Sequence, residues 1–133
     1  NQPFRDLVSL AGVTPGAVPN LADLIFRTGP LREAIVNWPE VAAYMVHRIR
    51  EARRLRGPSP RLDSILHRGL HQPGVREAAA TVDAARSRRA ILPVEMHVNG
   101  QSTRWITTLT TFGAPQDAFV EELTIEQFHP LPD

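Results

Sequence analysis

The sequence predicts an α+β fold in which helices pack on one face of an antiparallel β-sheet. Between Ile91 and Phe128, runs of strand-forming residues are separated first by Asn99-Gly100 and then by a run of five residues that contains Gly, Pro and Asp. An Asn-Gly pair between two such runs is the strongest short-range signal for a two-residue hairpin, and the second run favours another reversal. Before Ile91, apolar residues recur at helical spacing. We therefore expect three antiparallel strands after a helical first half.

The composition is typical of one globular domain of 133 residues, with 42% hydrophobic and 22% charged residues. The sequence has neither a stretch of about 18 apolar residues nor a signal-peptide pattern, so we expect a cytoplasmic location without membrane contact. The lack of cysteine excludes disulfides, thiolate catalysis and cysteine-based zinc sites. All 15 basic residues are arginine, which excludes Schiff-base chemistry, and a net charge of +1 gives no overall attraction to nucleic acid.

Capping residues and apolar periodicity indicate two helices in the first half of the helical region. Asn20 caps a short helix, which Gly29-Pro30 ends. Asn37 starts the best-defined helix, because a proline stands in the first turn and Glu40 lies three positions after the cap. Gly57-Pro58 ends this helix. The apolar residues of the two helices are Leu21, Leu24, Ile25 and Phe26, and then Val41, Tyr44, Met45, Ile49, Ala52 and Leu55.

Two further helices are predicted before the sheet. Ser59-Pro60 starts the first of them, and Gln72-Pro73 starts the second. The second has an alanine-rich stripe, which allows close approach to a neighbouring element. The apolar residues are Leu62, Ile65, Leu66 and Leu70 in the first helix, and Val75, Ala78, Ala79, Val82 and Ala85 in the second.

The hairpin turn at Asn99-Gly100 determines how its two strands pair. A two-residue loop places Glu95 opposite Arg104 and Val94 opposite Trp105. We expect Glu95 and Arg104 to form an exposed cross-strand ion pair that contributes less than about 1 kcal/mol. The face expected to be buried carries Leu92, Val94, Met96, Val98 and Trp105, and the opposite face carries Glu95, His97, Arg104 and Ile106.

The end of the chain carries a family resemblance. The run Thr108–Asp117, followed by Val120–Pro130, resembles the end of the ligand-binding domain of MmyB-like transcription regulators, and the helix starts at Asn20 and Trp38 are similar to its middle part. These bacterial regulators have an Xre-type helix-turn-helix followed by a PAS-like domain. The resemblance implies a PAS-like arrangement for residues 1–133, without the helix-turn-helix and with the first strand missing from the sheet. It also implies a sensor of a small apolar or fatty-acid-like molecule.

A ligand of this kind would lie between the helices and the sheet. The apolar residues expected there are Tyr44, Met45, Ile49, Met96, Trp105, Leu109 and Phe119, although interiors are close-packed by default and any one of these residues is otherwise interpreted as packed core. We expect no catalytic residue, no metal and no cofactor. The expected partners are the small apolar ligand, a second copy of the chain in a homodimer, and DNA through the helix-turn-helix domain only.

Three polar groupings have both a functional and a structural interpretation. His67 and His71 have the spacing of a helical metal pair but lack a nearby acidic residue, so two surface histidines are the better interpretation. The arginines between Arg48 and Arg56 are interpreted as a solvated helix end, with DNA, the DNA-binding domain or an anionic ligand group as alternatives. Glu95, His97, Arg104 and Asp117 are interpreted as a solvated face and a turn cap, rather than as the acid–base site of a small enzyme.

A second overall function remains open from the sequence alone. The domain is alternatively a structural dimerisation module, in which an exposed strand edge or the stripe from Ala78 to Ala85 meets a second copy. This alternative predicts strong self-association without stabilisation by any small molecule.

Overall fold

The α+β prediction is confirmed, because the helices precede an antiparallel sheet and pack against it. A computed structural model describes residues 9, 12, 20–82, 91–112 and 123–131. Residues 20–82 form five helices, which are α1 (Leu21–Phe26), α2 (Pro30–Ala34), α3 (Trp38–Arg56), α4 (Pro60–Leu70) and α5 (Val75–Thr81). The three strands are β1 (Val94–Val98), β2 (Gln101–Phe112) and β3 (Leu123–Leu131), in the sheet order β1-β2-β3.

Helix α1 begins where its cap was predicted. The Asn20 side-chain oxygen accepts hydrogen bonds from the backbone N–H groups of Ala22 and Asp23, at 2.9 and 3.3 Å. The prediction for Gly29-Pro30 was incomplete, because these residues also begin the short helix α2. Proline is favoured in the first turn of a helix, where its missing N–H has no intrahelical partner to lose.

The other predicted helix boundaries are close to those observed. Helix α3 ends at Gly57, whose φ of 82° is accessible to glycine, and the Ser59 hydroxyl caps α4 through the N–H of Leu62. Helix α5 begins two residues later than expected, after Gly74. The predicted apolar side of α3 is confirmed at Val41 and Ile49, which are buried. The prediction is wrong at Leu55, which is 68% exposed because it lies beyond the packed part of the helix.

The register of the predicted hairpin is confirmed. Glu95 pairs with Arg104 and Val94 pairs with Trp105, and both turn residues, Asn99 and Gly100, have positive φ, as a type I′ turn requires. The second strand then pairs antiparallel with β3, from Arg104–Leu131 to Phe112–Leu123. On the expected inner face, Leu92, Met96 and Trp105 are buried, while Val94 and Val98 are half-buried and pack against the core.

One hydrophobic core joins the helices to the sheet. Its most completely buried large side chains are Phe26, Val46 and Val75, which come from α1, α3 and α5. Met96 and Trp105 extend the same cluster to the inner face of the sheet. The sensor interpretation places a ligand in this layer, so its packing determines whether a ligand can enter.

Trp38 and Arg32 hold the short helices against the rest of the helical layer. The Trp38 Nε1–H donates to the Ile25 carbonyl at 2.9 Å, and the Arg32 guanidinium lies 3.5 Å from the centre of the Trp38 ring. Arg32 Nη1 also donates to the carbonyls of Phe26 and Pro73, at 3.2 and 2.7 Å. Partial burial lowers the pKa of Arg32, whose charge is compensated by the ring and the two carbonyls.

Three hydrogen bonds form a joint between the start of α3 and strand β1. Asn37 stands at the N-cap position but makes no cap hydrogen bond with its side chain, contrary to the prediction. Its amide instead donates to the Pro93 carbonyl and accepts from the Glu95 N–H, both at 2.9 Å. The Val36 N–H donates to the Glu95 carbonyl at 2.7 Å. The backbone N–H and carbonyl of Glu95, on the edge of β1, therefore have hydrogen-bond partners in Asn37 and Val36, just before α3.

Candidate functional site

The structure places five of the seven candidate ligand residues in or against the core. Ile49, Met96 and Trp105 are buried within it, with side chains 8%, 3% and 8% exposed. Tyr44 and Met45 are half-buried and pack against the same cluster. Leu109 lies on β2 opposite Glu126, and Phe119 lies outside the residues that the structure describes.

These residues reach the core from two directions. Tyr44, Met45 and Ile49 lie within two turns of α3, whereas Met96 and Trp105 lie on neighbouring strands, on the face that meets the helices. All five belong to one contiguous apolar region. Half-buried side chains such as Met45 mark where this region reaches the surface, and an unbranched thioether adapts readily to a changed neighbour.

The polar groups near this region are satisfied outside it. The Trp105 Nε1–H donates to the Thr103 hydroxyl at 3.0 Å, along the same strand. The carboxylate of Glu95 lies 3.7 Å from Arg104 Nε on the opposite face of the sheet, and both side chains are about half exposed, as predicted for a weak ion pair. The site is therefore suited to holding apolar groups, because none of its five described side chains is a carboxylate, an imidazole or a guanidinium.

The residues considered for acid–base chemistry lie on the exposed face. His97 Nδ1 is 3.2 Å from the Ser102 hydroxyl, and His97 is exposed, as is Arg104. Asp117, the fourth residue of that grouping, lies outside the described residues. The observed contacts of Glu95, His97 and Arg104 are those of a solvated sheet face.

The two helical histidines are exposed and close together. The rings of His67 and His71 are 4.3 Å apart between centroids, and His71 Nδ1 lies 2.7 Å from the His67 carbonyl, to which it donates. Within residues 20–82, 91–112 and 123–131, no group of three or more potential metal-binding side chains comes together.

A basic cleft lies along the last turns of α3. Among the described residues, His47, Arg50, Glu51 and Arg54 line a volume of about 570 Å³. The sequence indicated the arginines, but not that Glu51 contacts both His47 Nε2 and Arg54 Nη2, at 3.2 Å each. The signal in the sequence was the spacing, because Glu51 stands four residues after His47 and three before Arg54, which places these side chains next to each other on a helix.

Comparison with protein families decides between the possible classes of protein. Residues 1–132 match the MmyB-like transcription regulator ligand binding domain. The chain belongs to this family. An MmyB-like ligand-binding domain is a regulatory part of a transcription regulator, and the family is not an enzyme family. Neither the comparison with curated proteins nor that with solved structures found a match.

The match covers both the helical half and the sheet of the MmyB-like domain, so the resemblance seen at the end of the sequence extends over nearly the whole chain. The hydrophobic core that contains Met96 and Trp105 is therefore part of a domain that belongs to a ligand-binding family. Among the described helices, none is both long and apolar enough to cross a membrane.

Proposed function

We propose that this domain senses a small apolar or fatty-acid-like molecule that enters between helix α3 and the inner face of the sheet. The observation that carries the proposal is that five candidate residues from α3, β1 and β2 belong to, or pack against, one hydrophobic core in a domain of a ligand-binding family. We include Leu109, which lies on β2, and Phe119, which lies outside the described residues, in the proposed lining because both are apolar. The arrangement proposed for residues 1–133 is a single PAS-like domain in a cytoplasmic, dimeric regulator.

Ligand binding would act by favouring one packing of the domain over another. A ligand shifts a conformational equilibrium only as far as its affinities for the two states differ. Entry between α3 and the sheet would displace the half-buried Tyr44 and Met45 first, because they lie at the edge of the core. The joint at Asn37 ties the start of α3 to β1, so a change in the α3–sheet spacing reaches both elements. A DNA-binding domain attached to this one would respond to that change.

The alternative function is a dimerisation module without a small-molecule ligand. Part of the surface proposed for it is used within the chain, because Ala78 is only 4% exposed and α5 packs against α3. The helix also ends at Thr81, before the stripe would reach Ala85, which lies outside the described residues. These observations favour the ligand sensor over the alanine-stripe dimer, while a dimer through a strand edge is compatible with either function.

A direct test is stabilisation by a saturated fatty acid such as dodecanoate, with thermal unfolding as the measurement. At a hundredfold excess over Kd, binding to the folded state alone stabilises it by about 2.7 kcal/mol. We expect Met45→Phe to remove most of this stabilisation, because the larger ring fills the edge of the proposed site. The control is Leu70→Phe, which also enlarges a half-buried side chain packed against the core, but on α4, which packs against helices α1, α3 and α5. We expect this control to retain the stabilisation.

Two results would contradict the proposal. The first is the absence of stabilisation by every member of a fatty-acid series of increasing length. The second is an equal loss in Met45→Phe and Leu70→Phe, which would show that any disturbance of the core abolishes the effect. Sedimentation of the same samples separates the alternative, since a pure dimerisation module would self-associate strongly with no response to the fatty acid.

A further inference from the structure

The side of α3 that is buried in the middle of the helix becomes basic towards its end. Ala43 and Val46 are 3% and 1% exposed, and Arg50 follows them at positions i+7 and i+4. These spacings place Arg50 on the same side of the helix, one to two turns further on. Arg50 therefore lies on the side of α3 that is buried earlier in the helix, at the point where the helix extends beyond the core.

A cleft lies next to this part of the helix. The first lobe, of about 570 Å³, is lined by His47, Arg50, Glu51 and Arg54 among the described residues. A second lobe of about 400 Å³ also contains Arg50 and Arg54, and continues past Gly57-Pro58 to Asp63 in the first turn of α4. Volumes of this size hold a small ligand or part of a larger one.

The carboxylates of the cleft already have cationic partners. Glu51 contacts His47 and Arg54 at 3.2 Å each, and Asp63 pairs with Arg53. Arg50, in contrast, has no ion-pair partner within the part of the chain that the structure describes. The two lobes thus carry more guanidinium groups than carboxylates, and the guanidinium of Arg50 retains all its donors for a ligand.

We propose that this cleft binds a phosphate group through Arg50 and Arg54. A guanidinium offers two parallel N–H donors that match two oxygens of a phosphate, and such charge-assisted pairs are about twice as strong as neutral hydrogen bonds. Arg50 and Arg54 are one helical turn apart and line both lobes, so a single tetrahedral phosphate can contact both side chains. The phosphate belongs either to a nucleic-acid backbone or to a small phosphate compound. The site is separate from the apolar layer, so it does not depend on the proposed sensor function.

The chain offers a closely matched pair of variants for the test. Arg50→Gln removes a charge inside the cleft, and Arg48→Gln removes the same charge from the same helix. Positions 48 and 50 are separated by about 200° around the helix axis, and Arg48 is not among the described residues that line either lobe. Arg48 is exposed and, like Arg50, has no ion-pair partner among the described residues. The two variants therefore differ mainly in where the charge is lost.

Binding is measured with two probes. Fluorescence anisotropy follows a short duplex of arbitrary sequence between about 50 and about 200 mM salt. Chemical shifts follow titration of inorganic phosphate at constant ionic strength. For each probe that binds, we expect Arg50→Gln to weaken binding about tenfold, the contribution of one charge-assisted hydrogen bond, and Arg48→Gln to weaken it less than about twofold. Glu51→Gln is expected to strengthen binding, because it removes the carboxylate that competes for Arg54.

The outcomes are distinct. Arg50-dependent binding of the duplex, with a salt slope that falls by about one in Arg50→Gln, supports the site and identifies the backbone as the source of the phosphate. Arg50-dependent binding of inorganic phosphate without duplex binding supports the site for a small phosphate compound. Binding of neither probe overturns the proposal. Equal weakening in Arg50→Gln and Arg48→Gln also overturns it, since net charge alone would then explain the binding.

Discussion

Replacing Trp38 with alanine is expected to lower the free energy of unfolding by about 3 to 5 kcal/mol. The indole is 9% exposed and lies at the junction of α1, α2 and α3. Its removal leaves a cavity, frees the Ile25 carbonyl from a 2.9 Å hydrogen bond, and removes the ring over which the Arg32 guanidinium lies at 3.5 Å. Urea denaturation monitored by circular dichroism measures the loss.

Two further variants separate these contributions. Trp38→Phe keeps a buried ring beneath Arg32 but lacks the N–H donor, so we expect a smaller loss, of about 1 to 2 kcal/mol. Leu55→Ala is the control on the same helix, because Leu55 is 68% exposed, and it should change stability by less than about 0.5 kcal/mol. A loss in Trp38→Ala no larger than that in Leu55→Ala would show that the Trp38 junction does not stabilise the fold.

Replacing Gly69 with alanine is expected to destabilise the protein by about 2 kcal/mol, although alanine is the better helix former. Gly69 lies in α4, where a Cβ would stand 2.5 Å from Phe26 Cδ2 and 2.6 Å from Phe26 Cε2. The Phe26 side chain is 0% exposed, so the ring has little room to move away. The steric cost therefore exceeds the gain of up to about 1 kcal/mol in helix propensity.

A double-mutant cycle tests whether the Phe26 ring is the cause. Phe26→Leu is destabilising alone, but in combination with Gly69→Ala it provides space for the added methyl group. The double variant should therefore lose less unfolding free energy than the sum of the losses in the two single variants. Arg61→Ala is the control for a substitution to alanine in the same helix, at an exposed position. Strict additivity of Gly69→Ala and Phe26→Leu would contradict the proposed contact.

Local signals predicted the parts of the fold that local interactions determine. Asn99-Gly100 fixed the hairpin register because few residue pairs adopt positive φ at two successive positions. Asn20 and Ser59 capped the helices that follow them, since a cap needs only the next two or three residues. These features depend on a few neighbouring residues, so one sequence is sufficient to identify them.

Other features depended on contacts between distant parts of the chain. Asn37 has the residue type and position of a cap, yet its side chain bonds to Pro93 and Glu95, which are more than 50 residues away. The role of Arg32 likewise depends on the placement of Trp38 and Pro73 around it. The small helix α2 was missed because Gly29-Pro30 is both a common end and a common start of a helix.

The candidate site likewise has some features that local sequence predicts and others that depend on distant contacts. Periodicity placed Ile49, Met96 and Trp105 in the interior, because burial of an apolar face follows directly from helix and strand geometry. The same periodicity could not distinguish a ligand lining from a packed core, since both require the same apolar side chains. For the basic cleft, the sequence indicated the arginines, but the pairing of Glu51 and Asp63 that distinguishes Arg50 from its neighbours required the structure.

Native mass spectrometry of the purified domain tests the central claim most directly. The ligand-sensor function predicts a stoichiometric apolar adduct, present on the folded protein or acquired from an added fatty-acid series, and lost on denaturation. Solvent extraction of the adduct would then identify the bound molecule. A protein that keeps the apo mass before and after exposure to the whole series, whether as a monomer or as a dimer, would contradict the claim.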